Sequence, residues 1–301
     1  MRYNGGHKRD DFLVDTFGQF VEWVPVCPEV ELGMGTPRPA IRLERLNGAG
    51  VRLRMPSTGQ DLTEPMRDFS RQRVEALAAL ALDGYVLKKD SPSCGLLRVK
   101  IYHGAGAPMK DGVGIFAQSL VARLPHLPVE EEGRLNDPLL RESFITRVFV
   151  HHRWQEGERE SWSRASLMRF HERHKLLLMA RNQSAMRRMG KLLGEAEKDD
   201  SVRDLADAYL AGLTETLSRP ASRRGHTNVL QHLLGFVSIG LDRQDRAELV
   251  ETIERYRQGL VPLVVPLTLV RHHVRRQRVD YLRDQVYLEP HPHELMLLNH
   301  V

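Results

Sequence analysis

Only two cysteines occur in 301 residues. That scarcity excludes a disulfide framework, and it excludes a zinc module with four Cys or His ligands at short spacing. Long hydrophobic runs are lacking too. The longest, Leu260 to Val270, is interrupted by Pro262 and Pro266 and is too short for a membrane span of about 20 residues. No internal repeat or low-complexity tract stands out, and aromatic residues make up only 6%. Met1 leads straight into the polar stretch Arg2-Tyr3-Asn4-Gly5-Gly6-His7-Lys8-Arg9, unlike an export signal. The expectation is a cytoplasmic protein in a reducing compartment, with no membrane partner. In such a setting cysteines at special positions bind metal or do chemistry more often than they crosslink.

Neither sign of charge dominates the whole chain, yet the excess is uneven. Net charge is +5 overall, with +1 over residues 1–150 and +4 over residues 151–301. Residues 164–191 carry Arg164, Arg169, Arg173, Lys175, Arg181, Arg187, Arg188 and Lys191 against Glu172 alone. A second cluster holds Arg271, Arg275, Arg276, Arg278 and Arg283 against Asp280. Such stripes suit a phosphate backbone, and they equally suit a solvated helix face. Arg173, Lys175, Arg271, Arg275 and Arg276 are the candidate RNA contacts.

The chain length suggests two domains. Over residues 1–150, strand and helix signals alternate. Strands are expected at 20–26, 84–88, 97–102 and 127–129, and helices from Asp61 through Leu80 and at about 115–124. Gly33, Gly35, Pro37 and Pro39 mark irregular backbone between them. The expected fold is an α/β N-terminal domain with a mostly parallel sheet, followed by an all-α C-terminal domain. Residues 151–163 read as a linker. Helices are expected near 164–181, 184–197, 201–217, 224–238, 244–258 and 263–284 of the second domain, 164–301.

The two cysteines lie in short loops that each follow an apolar run: Cys27-Pro28-Glu29 after Phe20–Val26, and Ser91-Pro92-Ser93-Cys94-Gly95 after Gly84–Leu87. Loops at the ends of strands can converge on one crevice, where open α/β sheets bind ligands. Taken alone, two cysteines admit several readings. They can be small buried residues, half of a nucleophile–histidine pair, or metal ligands helped by His7 or His103. Iron–sulfur clusters use thiolates, and two are too few for one. The His171/His174 pair, His272-His273 and His291-Pro292-His293 fit surface or hydrogen-bonding roles better than metal binding.

Several stretches together are similar to the 2-thiouracil desulfidase family. They are Arg2-Tyr3-Asn4-Gly5-Gly6-His7-Lys8, Cys27-Pro28-Glu29 followed by Gly33-Met34-Gly35-Thr36-Pro37-Arg38-Pro39, Lys88-Lys89-Asp90-Ser91-Pro92-Ser93-Cys94-Gly95, and Glu131-Glu132-Gly133-Arg134-Leu135. The second half resembles the YbgA-type helical domain, through His171–Ala180, Asn228–Gly235 and Val261-Pro262-Leu263 to Arg271-His272-His273. Chains that fuse the two resemble bacterial desulfidases acting on 4-thiouridine in tRNA.

That resemblance implies a [4Fe-4S] cluster held by three cysteines, with Cys27 and Cys94 at two of the positions. The third belongs to a Ser-Cys-Leu-Leu-Gly element just ahead of the Arg-Tyr-Asn-Gly-Gly stretch. The expectation is that the start was assigned a few codons late and that the native chain carries this cysteine. A chain complete as written would hold no cluster, or an unstable one. A thiocarbonyl sulfur is soft and suits an open iron. Glu29 is the candidate base that directs water at the ring carbon, and Ser91 and Ser93 are candidate hydrogen-bond donors. Lys88 or its neighbour Lys89 would steady developing negative charge. Tyr3, Asn4, Gly5 and Gly6 are expected in a tight turn beside the site. The implied partners are tRNA and a thiolated nucleobase, and a homodimer is compatible with this reading. Two alternatives stay open: a desulfidase of free 2-thiouracil, and a non-catalytic RNA-binding protein whose cluster domain has decayed.

Overall fold

The computed structural model describes residues 4, 6, 9–46, 50–103 and 106–301. Tyr3, Gly5 and His7, which the sequence places beside the cysteines, lie outside the described residues. The chain divides into two units, Met1–Asn136 and Asp137–Val301. The first runs α1 (Pro28–Glu31), β1 (Arg42–Leu46), β2 (Gly50–Met55), β3 (Gln60–Asp61), α2 (Thr63–Ala78), β4 (Tyr85–Leu87), β5 (Val99–Tyr102), β6 (Met109–Gly112), α3 (Ile115–Arg123) and β7 (Val129–Glu131).

Its sheet is mixed, not mostly parallel. The main sheet has the order β3-β2-β1-β5-β6, and β4 pairs with β7 separately. The β1–β5 and β4–β7 pairs are parallel, whereas β1–β2, β2–β3 and β5–β6 are antiparallel. The cause is connection length. Leu46 and Gly50 are too close in sequence for the dozen or more residues that a parallel crossover needs. Arg42-Leu43-Glu44 and Arg52-Leu53-Arg54 alternate, so Leu43 faces Leu53 across the ladder and both enter the core. The arginines stay on the other face, where Glu44 accepts from Arg42 Nε at 2.7 Å. The expected first strand, 20–26, does not form: this segment has no regular secondary structure. Pro25 has no N–H to offer a ladder, and Trp23 and Val24 stay exposed.

Among the described residues, two apolar clusters pack this unit. Leu43, Leu53, Val99 and Ile101 of the sheet pack on Met66 of α2. Val74 and Leu77, further along α2, pack with Leu87 of β4 and with Phe116 and Leu120 of α3. Helix α2 starts where the sequence suggests: Asp61 Oδ1 accepts the Thr63 amide at 2.9 Å, and Thr63 Oγ1 accepts from Leu53 N at 2.8 Å.

The second unit is helical: α4 (Pro138–Arg159), α5 (Arg164–Gly194), α6 (Val202–Leu217), α7 (Arg223–Val237), α8 (Arg243–Gln258), α9 (Val264–Gln277) and α10 (Asp280–Arg283), with short 3-10 turns near the end. Side-chain oxygens of Asp137, Ser163, Ser201, Ser222 and Asp242 cap five of these helices, each accepting from an orphan amide of the first turn. The expected linker 151–163 is instead structural. Residues 151–159 finish α4, and Trp154 stacks on Tyr209 at 5.6 Å and meets Trp162 at 4.6 Å. Its polar look came from the exposed face of a helix whose other face is buried. The expected break between 181 and 184 is real: Asn182 leaves helical geometry within α5 (φ −157°, ψ 100°), and its Oδ1 caps Ala185 N at 3.0 Å.

Two buried imidazoles make this unit sensitive to acid. His174 stacks on Phe170 at 3.9 Å, with Nδ1 2.8 Å from the Phe170 carbonyl oxygen. His226 Nδ1 lies 2.9 Å from the Tyr287 hydroxyl. Burial lowers their pKa values to about 3 and about 4. Unfolding raises both towards 6.5, so the unfolded state binds more protons below that pH. Their contribution is therefore intact above pH 6.5 and is lost as pH falls towards 4, by about 2 kcal/mol each at pH 5. Urea unfolding followed by Trp154 and Trp162 fluorescence checks this. The His226→Phe variant should lose about 1 kcal/mol per pH unit of slope between pH 6 and 4. An unchanged slope refutes the account.

Candidate functional site

Cys27 caps α1 in extended conformation, and Pro28 takes the first helical position, which needs no N–H partner. The Cys27 amide donates to Glu31 Oε1 at 3.0 Å, and Glu31 is held in turn by Arg73 Nε at 2.8 Å. The short helix turns Glu29 inward. The Cys27 thiol lies 3.6 Å from Glu29 Oε2, and the Ser91 hydroxyl lies 3.4 Å from Glu29 Oε1. The two cysteine loops thus meet at one carboxylate.

The second loop folds around Ser91. Its Oγ accepts the amides of Ser93 at 3.2 Å and Cys94 at 3.1 Å, while its carbonyl accepts Gly95 N at 2.8 Å. The loop carbonyls then satisfy the first turn of α3: Ile115 N donates to Pro92 O, and Phe116 N and Ala117 N donate to Ser93 O. Further support comes from the buried Glu131, whose Oε1 accepts Leu96 N at 2.8 Å and Leu97 N at 3.1 Å. Two glycines permit this packing. A Cβ on Gly114 would sit 2.3 Å from the Ser93 carbonyl oxygen, and one on Gly95 would sit 2.4 Å from Val99 Cγ2.

The electrostatics focus on the same point. Arg38 NH2 lies 3.6 Å from Glu29 Oε2, with side chains only 5% and 9% exposed, and Arg38 NH1 donates to Gly35 O and Thr36 Oγ1 at 3.2 Å. Burial pushes the Cys94 thiol well up, and the nearby Glu29 and Cys27 push it further, while Ser91 and Arg38 oppose them. Burial likewise raises the Tyr85 phenol, and Cys94 raises it more. Tyr85 therefore stays protonated beside the sulfur.

Of the residues expected at the site, Cys27, Glu29, Ser91, Ser93 and Cys94 come together. Lys88 is engaged elsewhere, paired with Glu132, whose other oxygen accepts Lys89 N at 2.7 Å. Sequence reasoning missed Arg38 and Tyr85. Arg38 was visible within the Gly-Thr-Pro-Arg-Pro stretch, and Tyr85 within the strand before the second loop. In the helical unit, Arg173, Arg275 and Arg276 are exposed and Lys175 is half-buried. Arg271 cannot face a phosphate backbone: it is buried, bonds to the Leu288 carbonyl, and lies 3.2 Å from His293 Nδ1. It ties α9 to the C-terminal segment. His174 is likewise committed to the core, and His171 Nδ1 lies 3.1 Å from the Tyr209 hydroxyl.

The donor set suits a soft, positively charged group. A buried thiol that burial keeps protonated becomes a thiolate when a cation binds it. The Ser93 hydroxyl is fully buried without a partner and remains able to donate. The Cys27 and Cys94 thiols are close enough for Cys27 to act on the ionisation of Cys94. Among the described residues, no three His, Cys, Asp or Glu are grouped to hold a metal ion. The loop geometry gives a direct check. Gly114→Ala should destabilise the first unit by about 1–3 kcal/mol and speed alkylation of Cys94, read by thermal unfolding and thiol labelling. Equal melting and labelling would mean that the close contact is not needed.

Comparison with known proteins bears on both units. The family described as 2-thiouracil desulfurase matches residues 1–132, and a family described as a protein of unknown function (DUF1722) matches residues 175–292. The Escherichia coli (strain K12) protein described as uncharacterized protein YbgA is 30% identical over 156 residues, covering 52% of this chain and 92% of that protein. No solved structure matches. The chain therefore belongs to the YbgA family, and it joins a YbgA-type helical domain to a 2-thiouracil desulfurase domain.

Proposed function

We propose that this protein is a desulfidase that removes sulfur from thiolated uracil, with 4-thiouridine in tRNA as its substrate. The observation that carries the reading is the meeting of the Cys27 thiol and the Ser91 hydroxyl at the Glu29 carboxylate, with Cys94 in the same loop as Ser91. The net reaction is hydrolytic. Water adds its oxygen to the thiocarbonyl carbon, the carbon–sulfur bond breaks, and the products are uridine and hydrogen sulfide, with no net redox change.

In this reading Glu29 takes a proton from the attacking water, and Arg38 holds the carboxylate in place. Ser91 orients the same carboxylate from the other side. Tyr85, protonated beside Cys94, donates a hydrogen bond where negative charge collects. Cys27 and Cys94 would supply two of the three thiolates of a [4Fe-4S] cluster, with Ser93 donating to its sulfurs or to a thiolate. When bound, the cluster supplies a soft iron with affinity for the departing sulfur. The exposed cations Arg173, Arg275 and Arg276 would meet the tRNA backbone, which supplies most non-specific affinity through phosphate neutralisation. A thiolated base stacked in folded tRNA must be extruded or caught unstacked before the chemistry.

Anaerobic reconstitution with iron and sulfide, followed by incubation with 4-thiouridine-containing tRNA, tests the proposal. Loss of thiocarbonyl absorbance with sulfide release is expected. Glu29→Gln should lower the rate by about 100-fold or more while leaving cluster absorbance unchanged, and Cys27→Ser should lose the absorbance itself. Turnover of free 2-thiouracil but not of the tRNA would move the substrate to the free base. A Glu29→Gln enzyme at full rate would remove Glu29 from the chemistry.

A further inference from the structure

The break at Asn182 does more than divide α5. In a straight helix, His171 and Gly190 would be about 28 Å apart. Here a Cβ on Gly190 would lie 2.9 Å from His171 Nε2, so the second half of α5 folds back over the first. Arg164, at the start of the helix, bonds to the carbonyls of Glu197 and Asp200 just past its end. A cleft of about 720 Å³ opens between the two halves and α7. Its volume is that of a small-molecule site.

Three chemistries line the cleft. Arg169, Lys175 and Arg187 bring positive charge against one lining carboxylate, Glu172; among the described residues none of the three pairs with a carboxylate, and Lys175 Nζ sits 4.9 Å from the Tyr281 ring centroid. Elsewhere in the same unit, arginines such as Arg255 and Arg257 are paired with glutamates. Among the described residues, neither the half-buried Asn228 side chain on α7 nor the exposed Gln183 side chain at the turn has a hydrogen-bond partner. Met168, Met179 and Met186 supply flat, polarizable apolar surface, with Leu176 behind them. Both stretches that mark this domain in the sequence, His171–Ala180 and Asn228–Gly235, reach this one cleft.

We propose that the cleft binds a single nucleoside 5′-phosphate. The cations take the phosphate, the methionines pack on the base, and Asn228 with Gln183 hydrogen-bonds its edge, as free carboxamides can in either polarity. Such a nucleotide comes either from the free pool or from an unstacked position of an RNA. This inference goes beyond desulfuration and does not rest on it, because no residue of the cysteine loops takes part.

The full chain is titrated with UMP by calorimetry, with uridine and an unmodified tRNA transcript as parallel probes. Saturable UMP binding is expected, with uridine weaker by about tenfold or more because it lacks the phosphate. Lys175→Gln, Arg187→Gln and Asn228→Ala should each weaken UMP by about tenfold, while thermal unfolding shows that the variants stay folded. A Cys27→Ser/Cys94→Ser protein should bind UMP as tightly as the parent, which separates this site from the cysteine site. Competition between UMP and tRNA assigns the nucleotide to an RNA; UMP binding without competition assigns it to the free pool. Absence of saturable UMP binding, or UMP binding unchanged in all three cleft variants, overturns the inference.

Discussion

A buried carboxylate shared by two loops organises the first unit. An ionised Glu29 without partners would cost several kcal/mol to bury. The fold meets that cost with Arg38, itself anchored on Gly35 O and Thr36 Oγ1, and with the hydroxyl of Ser91. Arg38 belongs to the first loop and Ser91 to the second, so neither loop can adopt its conformation independently of Glu29. The positions of both thiols follow. Cys27 caps the helix that carries Glu29, and the Cys94 amide is fixed by Ser91. Thiol placement is thus a by-product of satisfying one charge.

The backbone of the second loop is equally constrained. Helix α3 has no side-chain cap, because Gly114 occupies that position. Carbonyls of Pro92 and Ser93 supply the missing acceptors. A larger residue at Gly114 would strike the Ser93 carbonyl, so the glycine that forfeits a cap is the one that lets the loop provide it. The helical unit solves the same end problem differently, with Ser or Asp side chains at its helix starts.

What the sequence made legible follows from these two solutions. The helix starts near 164, 201, 224 and 244, and the break before residue 184, stood out because periodicity is a local signal. The cysteine loops were legible because their residues are rare and closely spaced. The β1–β2 hairpin was not: arginines at Arg42, Arg45, Arg52 and Arg54 hid an alternation that only the buried Leu43 and Leu53 reveal. Trp154 was read as linker because its partners, Trp162, Phe170 and Tyr209, are up to 55 residues away and no local pattern announces such contacts. Arg271 misled for the converse reason. Its charge looked available for phosphate, but a guanidinium is also a good multi-donor clamp for buried carbonyls, and that is its use here.

The two units carry complementary kinds of discrimination. Exchanging sulfur for oxygen in a uracil ring alters softness and size at one atom, a difference that cationic side chains read poorly and thiolate-held iron reads well. A phosphate, conversely, is read by positive charge, and Arg38 at the cysteine loops is already paired with Glu29. Recognition of sulfur and recognition of a nucleotide therefore call for different surroundings. The chain provides both: half-buried thiols beside a buried carboxylate in one unit, and in the other an open cleft lined by Arg169, Lys175 and Arg187. On the proposed function, selectivity for a thiolated nucleotide over a thiolated base would reside in the helical unit, and selectivity for sulfur over oxygen at the cysteines.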